Sequence, residues 1–381
     1  MSGGRSERRS QAANESDPQW MQRALRLARR GEGWVEPNPM VGCVLVRNGQ
    51  VIGEGHHRRF GGPHAEVESL RACTANPRGA VAYVTLEPCC ITGKTPPCTE
   101  ALIEAGLRRV VVGTLDPNPA VDGEGVRRLR AAGITVEVGA MSEEAAELIA
   151  PFATRIKRKR PYIVAKWAQS LDGKLATSAG DSQWISGEAA RRRVHCLRAR
   201  VDAVLVGAGT VLADDPLLTA RDVPLRRLAA RVVLDARLRL PVTCRLVATA
   251  REVPTWVFTS KTSAASPKAA RLAERGVRVT GFSAPAGKVS LAHCLTELWM
   301  RDVTNLLVEG GPTILTTFLE AGVVDEALLF TAPRLIGGTK APSAWLGRGA
   351  ARLDVAVTPR RVAVRRVGPD LLHHLWLSEP V

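Results

Sequence analysis

Short apolar runs with strand character recur along the chain, and stretches with helical spacing separate most of them. In the first half the strand candidates are Met40–Val46, Val51-Ile52, Val81–Leu86, Arg109–Gly113 and Thr135–Val138. Helical spacing covers Trp20, Ala24, Leu25 and Ala28, then His64–Ala72, Thr99–Ala105, Glu124–Ala131 and Ser142–Ile149. Asp17-Pro18 supplies a capping carboxylate followed by Pro at the first helical position. Arg47-Asn48-Gly49 is a hairpin turn signal. Strands separated by helical crossovers predict an α/β layered domain with a mixed or parallel sheet.

The alternation restarts in the second half with strand Tyr162–Trp167, helix Glu188–Ala199 and strand Ala203–Val206. Strands Arg231–Leu234, Thr255–Thr259 and Asn305–Val308 follow, with helices near Pro267–Arg275 and Leu291–Arg301. A length of 381 residues suits two domains at about 150 residues each. The basic run Arg155–Pro161 marks the boundary, giving a flexible tail at 1–16, a first domain at 17–154, a linker at 155–161 and a second domain at 162–381.

No apolar run reaches the roughly 18 residues of a membrane span, and the longest, Ala203–Ala213, is broken by Gly207 and Gly209. Residues 1–16 are polar and resemble neither a signal peptide nor an anchor, so a cytoplasmic protein is expected. Eight cysteines are too few for a disulfide scaffold, and Cys89, Cys90 and Cys98 crowd one stretch. In a reduced compartment such a cluster reads as metal ligands and the scattered cysteines as buried thiols. The charge of +16, from 53 Lys+Arg and 37 Asp+Glu, allows nucleic acid or an acidic small substrate as partner. The basic residues recur in short groups such as Arg191-Arg192-Arg193, Arg226-Arg227 and Arg360-Arg361, which points to solvated surface.

Pro63-His64-Ala65-Glu66, Glu87-Pro88-Cys89 and Cys98 form the sharpest local pattern. One imidazole and two thiolates suit Zn2+, with the fourth tetrahedral position open to a water whose pKa falls to roughly 7. Glu66 is placed to take the water proton and return it to a leaving amine. Cys90 competes with Cys89 as a ligand, but the preceding Pro88 fits the pattern only with Cys89. H-x-E with P-C-x-x-C is the signature of zinc-dependent deaminases. Here Cys90–Pro97 separates the two thiolates, a loop that weighs against deaminases of nucleic-acid bases or free nucleosides.

Thr85-Leu86-Glu87-Pro88-Cys89, Gly93-Lys94-Thr95-Pro96-Pro97-Cys98 and Asn38-Pro39-Met40-Val41-Gly42 closely resemble the deaminase half of the bifunctional riboflavin-biosynthesis deaminase/reductases. The resemblance implies a cytidine-deaminase-like α/β/α domain in which Asn38, His57 and Lys94 hold a diamino-ribosylamino-pyrimidinone 5′-phosphate. His57, beside His56 on a polar loop, has solvent exposure as its plain reading. The family typically has Ser-His after the first zinc cysteine; this chain has Cys90-Ile91, which leaves the ligands and Glu66 untouched. Deamination is expected to survive.

Val206-Gly207-Ala208-Gly209-Thr210 and Glu309-Gly310-Gly311-Pro312-Thr313 are glycine turns after apolar strands, natural phosphate cradles without being a dinucleotide fingerprint. Together with Ala165–Gly173, Asp181–Ser186 and Gly209–Pro216 they resemble the reductase half of the same family, whose fold is dihydrofolate-reductase-like. By that resemblance Ala168, Trp184, Thr210, Asp214 and Gly311 contact NADPH. Ser182, Arg198, Leu218, Arg221 and Glu309 contact the pyrimidine sugar phosphate, the arginines through their planar guanidinium groups.

The expectation is therefore a bifunctional enzyme with one zinc and NADPH, acting on a phosphorylated pyrimidine, with no nucleic-acid or membrane partner and assembled as a homodimer or larger homo-oligomer. The rival readings are a protein with only one active half, a tRNA or other nucleic-acid base deaminase, and a zinc-stabilised binding module. Residues 355–381 carry no usable motif.

Overall fold

The computed structural model describes residues 17–283 and 289–381. The tail expected at 1–16 lies outside the described residues. The chain separates into two compact units that divide between Lys159 and Arg160.

The first unit is built on five strands: β1 (Gly42–Arg47), β2 (Gln50–His56), β3 (Val81–Leu86), β4 (Arg109–Thr114) and β5 (Thr135–Val138). Their spatial order is β2-β1-β3-β4-β5. β1 pairs antiparallel with β2 and β3, whereas β3, β4 and β5 run parallel, so the sheet is mixed. Asn48-Gly49 forms the β1–β2 turn, with both residues at positive φ. Every residue of β3 is buried, as a central strand covered on both faces requires. Its side chains alternate between two cores: Ala82 and Val84 pack with Val110 and Val112, Val81 and Tyr83 with Val44 and Val111.

The basic run 155–161 is not a linker. Helix Ser142–Arg158 continues through most of it, and its last turn carries Arg155, Lys157 and Arg158. Cations there complement the partial negative charge of a helix C-terminus. Lys159 ends the helix in the left-handed region, and Arg160 already belongs to the second unit.

The second unit contains β6 (Tyr162–Ser170), β7 (Ala203–Gly207), β8 (Ala230–Leu234), β9 (Thr255–Ser260), β10 (Arg278–Phe282), β11 (Asn305–Val308), β12 (Glu326–Ala332), β13 (Arg361–Val367) and β14 (Asp370–Trp376). The order is β10-β9-β8-β7-β11-β6-β12-β14-β13. From β10 to β12 all neighbours are parallel, and β14 and β13 close the edge antiparallel. Helices cover both faces over two apolar cores, one around Val204, Val206 and Phe330, the other around Leu205, Phe258 and Phe318. β10, β12, β13 and β14 add to the strands expected from the apolar runs.

The arginine surplus is not all solvated surface. Arg227 pairs with Asp202, whose carboxylate also accepts the N–H groups of Thr304 and Asn305. Arg231 is wholly buried, and its guanidinium donates to oxygens of Leu217, Leu246, Thr249, Val253 and Thr255. Asp325, 0% exposed, accepts both arms of Arg160, the Ile163 N–H and the Ser378 hydroxyl.

Candidate active sites

β3 hands over directly to Glu87-Pro88-Cys89, and this turn is held from behind. The buried Glu87 carboxylate accepts N–H bonds from Asp116 (3.2 Å), Gly123 (2.9 Å) and Val126 (3.0 Å). A Cβ on Gly125 would lie 2.1 Å from the Pro88 carbonyl oxygen, so the approach requires glycine. His64 occupies the N-cap position of helix Ala65–Arg71 without a side-chain capping bond, and Cys98 opens helix Cys98–Glu104. One strand end and two helix starts therefore meet, and helix N-termini favour thiolate.

Three side chains converge there. His64 Nδ1 lies 3.5 Å from Cys89 Sγ and 3.3 Å from Cys98 Sγ, and the three donor atoms are all within 4.8 Å of one another. Tetrahedral zinc, with bonds of about 2.3 Å to sulfur and about 2.0–2.1 Å to nitrogen, needs S···N edges of roughly 3.6 Å. Donor type and spacing both fit Zn2+. The hydrogen bond from Cys98 pushes the Cys89 thiol down, and the same contact, then burial, pushes Cys98 up. A thiolate beside an imidazole is thus already favoured before any cation enters. Cys90 stands outside this cluster; it is buried, and its carbonyl accepts from Arg128 Nη1 at 2.8 Å.

Glu66 is 3% exposed. Burial, and then the charge at Cys89, push its carboxyl up to about 7, and it lies within hydrogen-bonding reach of the Cys98 thiol.

His57 is not a solvent-exposed loop residue: it is 2% exposed, and its ring lies edge-on to His64 at 5.2 Å between centroids. Its Nδ1 stands 2.9 Å from the Pro63 carbonyl oxygen, which can only accept, so Nδ1 carries the proton. Nε2 is then free to accept from Asn38 Nδ2 at 3.1 Å. Burial lowers the His57 pKa, which keeps the ring neutral in that role. Lys94 is exposed, with Nζ 3.8 Å from the centre of the Phe60 ring. The structure adds two residues that the sequence patterns leave without a role: Phe60 under Lys94, and Glu87 behind the zinc turn.

In the second unit a cavity of about 1480 Å³ opens among the C-terminal ends of neighbouring parallel strands, the usual ligand position in an open α/β sheet. Ala168 comes from β6, Thr210 and Asp214 from the helix after β7, and Glu309 and Gly311 from the turn after β11. Ser182, Trp184, Arg198, Leu218 and Arg221 join them, so every reductase residue expected from the resemblance lines this cavity. A Cβ added to Gly209 would meet nothing within 4 Å, and one on Gly311 only the Thr210 hydroxyl at 3.8 Å, so both glycine turns border open space. Small-molecule pockets commonly measure about 300–1,000 Å³. This one is larger than that range.

The polar centre of the cavity is a cluster. Arg198 closes its fork on Glu309 at 2.6 and 2.9 Å, and Lys166 Nζ lies 3.8 Å from the same carboxylate. Burial would raise Glu309, but Arg198 outweighs it and the carboxyl is held low; burial lowers Lys166. The resemblance gives Arg198 to the substrate phosphate, whereas here its remaining Nη1 donates to the Thr219 carbonyl at 3.3 Å and both other arms serve Glu309. Arg221 is exposed, and its backbone N–H donates to His195 Nδ1. Trp184, 58% exposed, lies under the Arg191 guanidinium, 4.8 Å from ring centre. Asp214 accepts from Gln183 Nε2 at 3.4 Å.

Known proteins match both units. The cytidine and deoxycytidylate deaminase zinc-binding region matches residues 14–114, and the RibD C-terminal domain matches residues 161–372. The riboflavin biosynthesis protein RibD of Aquifex aeolicus (strain VF5) is 44% identical over 361 residues, covering 94% of this chain and 98% of the relative. The structure of Acinetobacter baumannii RibD superposes with a TM-score of 0.83 at 36% identity, over 96% of this chain and 99% of that one. A diaminohydroxyphosphoribosylaminopyrimidine deaminase/5-amino-6-(5-phosphoribosylamino)uracil reductase from Thermotoga maritima gives a TM-score of 0.81 at 38% identity, with the same coverage.

Proposed function

The chain belongs to the RibD family, the bifunctional deaminase/reductases of riboflavin biosynthesis, and from that premise we propose how its own residues divide the work. When bound, Zn2+ supplies a water activated at neutral pH and NADPH supplies a hydride. His64, Cys89 and Cys98 hold the metal. Asn38, its amide nitrogen committed to His57, offers its carbonyl oxygen to N–H groups of the pyrimidinone, and Lys94 offers a positive charge at the mouth. Glu66 takes a proton from the attacking water and returns it to the departing amino nitrogen. The carbon–nitrogen bond at the 2-position then breaks with loss of neutral ammonia, leaving a carbonyl.

In the second unit Ala168, Trp184, Thr210, Asp214 and Gly311 hold NADPH. Ser182, Leu218, Arg221 and Glu309 hold the ribosylamino phosphate, and Arg198 acts through Glu309 by fixing its carboxylate. Reduction at C1′ opens the ribosyl ring to a ribityl chain, giving 5-amino-6-(5-phosphoribitylamino)uracil. The chain's part is to orient cofactor and sugar. Among the described residues no helix is long and apolar enough to cross a membrane. We place the enzyme in the cytoplasm as a homodimer or larger homo-oligomer.

The observation that carries this reading is the convergence of one imidazole and two thiols beside a buried carboxylate in one unit, with a separate cavity of about 1480 Å³ in the other. The test is to incubate the zinc-assayed protein with 2,5-diamino-6-ribosylamino-4(3H)-pyrimidinone 5′-phosphate, with and without NADPH, following ammonia and NADPH absorbance. Ammonia released without NADPH, then NADPH oxidation on its addition, is the expected course. Ammonia without oxidation leaves a deaminase only. Neither signal, with salt-sensitive RNA binding instead, would move the reading to a nucleic-acid deaminase.

A further inference from the structure

Phe60 lies in the short segment that runs from β2 to His64, and that segment is pinned along its length. The His57 N–H donates to the Val41 carbonyl at 3.0 Å, and His57 Nδ1 donates to the Pro63 carbonyl at 2.9 Å, so both ends of 58–62 are fixed. Between them the Gly62 N–H closes a turn on the Arg59 carbonyl at 3.0 Å, with Gly61 at φ 76° in a left-handed position that favours glycine. The Phe60 N–H itself donates to the Trp34 carbonyl at 3.0 Å. A phenyl ring that is 44% exposed is thus carried on a fixed backbone.

Lys94 belongs to the loop that joins Cys89 to Cys98, where the chain is neither helix nor strand. On its flexible four-carbon stem an exposed ammonium left to itself spreads over many rotamers. Here Nζ stands over the Phe60 ring, and the stem passes Gly61, where an added Cβ would lie 3.6 Å from Lys94 Cδ. Among the described residues Lys94 has no carboxylate partner, and the ring is its contact. Arg58, on the same segment, is by contrast paired with Glu68 at 2.8 Å. A carboxylate would hold the ammonium but cancel its charge and repel an anionic substrate. An aromatic face holds a cation through the ring quadrupole and leaves the charge in place.

We propose that Phe60 is a positioning residue for the deamination: its ring face holds the Lys94 ammonium, uncancelled, where the phosphorylated pyrimidine enters. This rests on the reading that Lys94 meets that substrate. The ring acts through Lys94 and touches neither the reacting carbon nor the metal. Its platform is joined in sequence to His64, and Lys94 lies between Cys89 and Cys98, so the contact ties the charge to the segments that carry all three ligands. Ordering the side chain before binding lowers the entropy lost when substrate arrives.

The experiment uses the full zinc-loaded chain as wild type, Phe60→Leu, Phe60→Tyr, Lys94→Met and the Phe60→Leu/Lys94→Met pair. Ammonia release from 2,5-diamino-6-ribosylamino-4(3H)-pyrimidinone 5′-phosphate gives kcat and KM, and carbon-13-labelled lysine reports the Lys94 ε-methylene, assigned by its absence in Lys94→Met. In the wild type that resonance should be shifted upfield by the ring current, and in Phe60→Leu it should return to the ordinary lysine position. Phe60→Leu should raise KM about 2- to 5-fold, the usual worth of an exposed cation–π contact, with kcat and bound zinc unchanged. Phe60→Tyr, which restores the ring face, should restore KM, and the double variant should be no worse than Lys94→Met alone. An unshifted wild-type resonance, an unchanged KM in Phe60→Leu, a loss of zinc, or additive losses in the double variant overturns the role of Phe60 while leaving that of Lys94 standing. A KM unchanged in Lys94→Met overturns both.

Discussion

In the first unit three donor atoms within 4.8 Å, set by one strand end and two helix starts, form the candidate metal centre. In the second, the candidate site is a cavity of about 1480 Å³ that spans the ends of β6, β7, β8 and β11. A metal centre needs every ligand, so its failure is all-or-none. A cavity that orients two molecules through many contacts fails by degrees, because each contact supplies a fraction of the positioning. The difference should show in single substitutions.

The largest effect is expected at the metal ligands. Cys98→Ala should lower bound zinc from about one per chain to none and abolish ammonia release, while reduction of the deaminated substrate continues. Glu66→Gln should keep its zinc and lose about 10²- to 10⁴-fold in ammonia release, the usual share of a general acid/base. Ammonia release that survives either change would break the contrast. Next in size is Asp325→Ala in the second unit. It leaves the Arg160 guanidinium without its carboxylate, and the urea unfolding of that unit should reflect a loss of about 3–5 kcal/mol. An unshifted midpoint would deny the pair its structural role.

Glu309→Gln removes the common partner of Arg198 and Lys166. Reduction should slow by about 10- to 100-fold, with ammonia release unaltered, as expected for an unpaired buried charge rather than a lost metal. Complete loss would make the second site as brittle as the first. The smallest effect concerns Asp172, which accepts from the Ser170 hydroxyl and from the Ile336 and Gly337 N–H groups. Those bonds, the Ser170 one foremost, hold its carboxyl down from 3.8 to about 2. A depressed carboxyl stabilises above its unfolded value, so the restraint is full above about pH 4 and fades as pH falls through about 2. Hydrogen exchange at Ile336 and Gly337 should quicken over that window, and at neutral pH in Asp172→Asn. Equal exchange in variant and wild type would show that Asp172 does not restrain this loop.

The two units also differ in how far they can be read from sequence. The convergence of His64, Cys89 and Cys98 is legible because an imidazole and two thiols at such spacing point to one centre, and Asn48-Gly49 because its turn needs positive φ. The burial of His57 is not, since it depends on the Pro63 carbonyl and Asn38 arriving from separate segments. Glu87 escapes a role because its three partners are backbone N–H groups, which no residue type announces. In the second unit the strands with apolar runs are visible, but β13 carries Arg361, Arg365 and Arg366 among exposed valines and lacks a buried face to betray it. Arg231 inverts the composition rule: its cation sits in the core because neutral oxygens from five residues surround it. The Arg155–Pro161 run misleads because basic residues at a helix end and in a linker have the same composition.

The Asp325 carboxylate sets a rule for dissection. It gathers Arg160, before the first strand of the second unit, and Ser378, after its last, onto one buried side chain. The two chain ends of that unit are thereby latched at a single point. A reductase half cut free of its neighbour would have to start no later than Arg160 and reach at least Ser378. Joining those two ends by a short peptide and opening the chain at a surface turn elsewhere would preserve the latch.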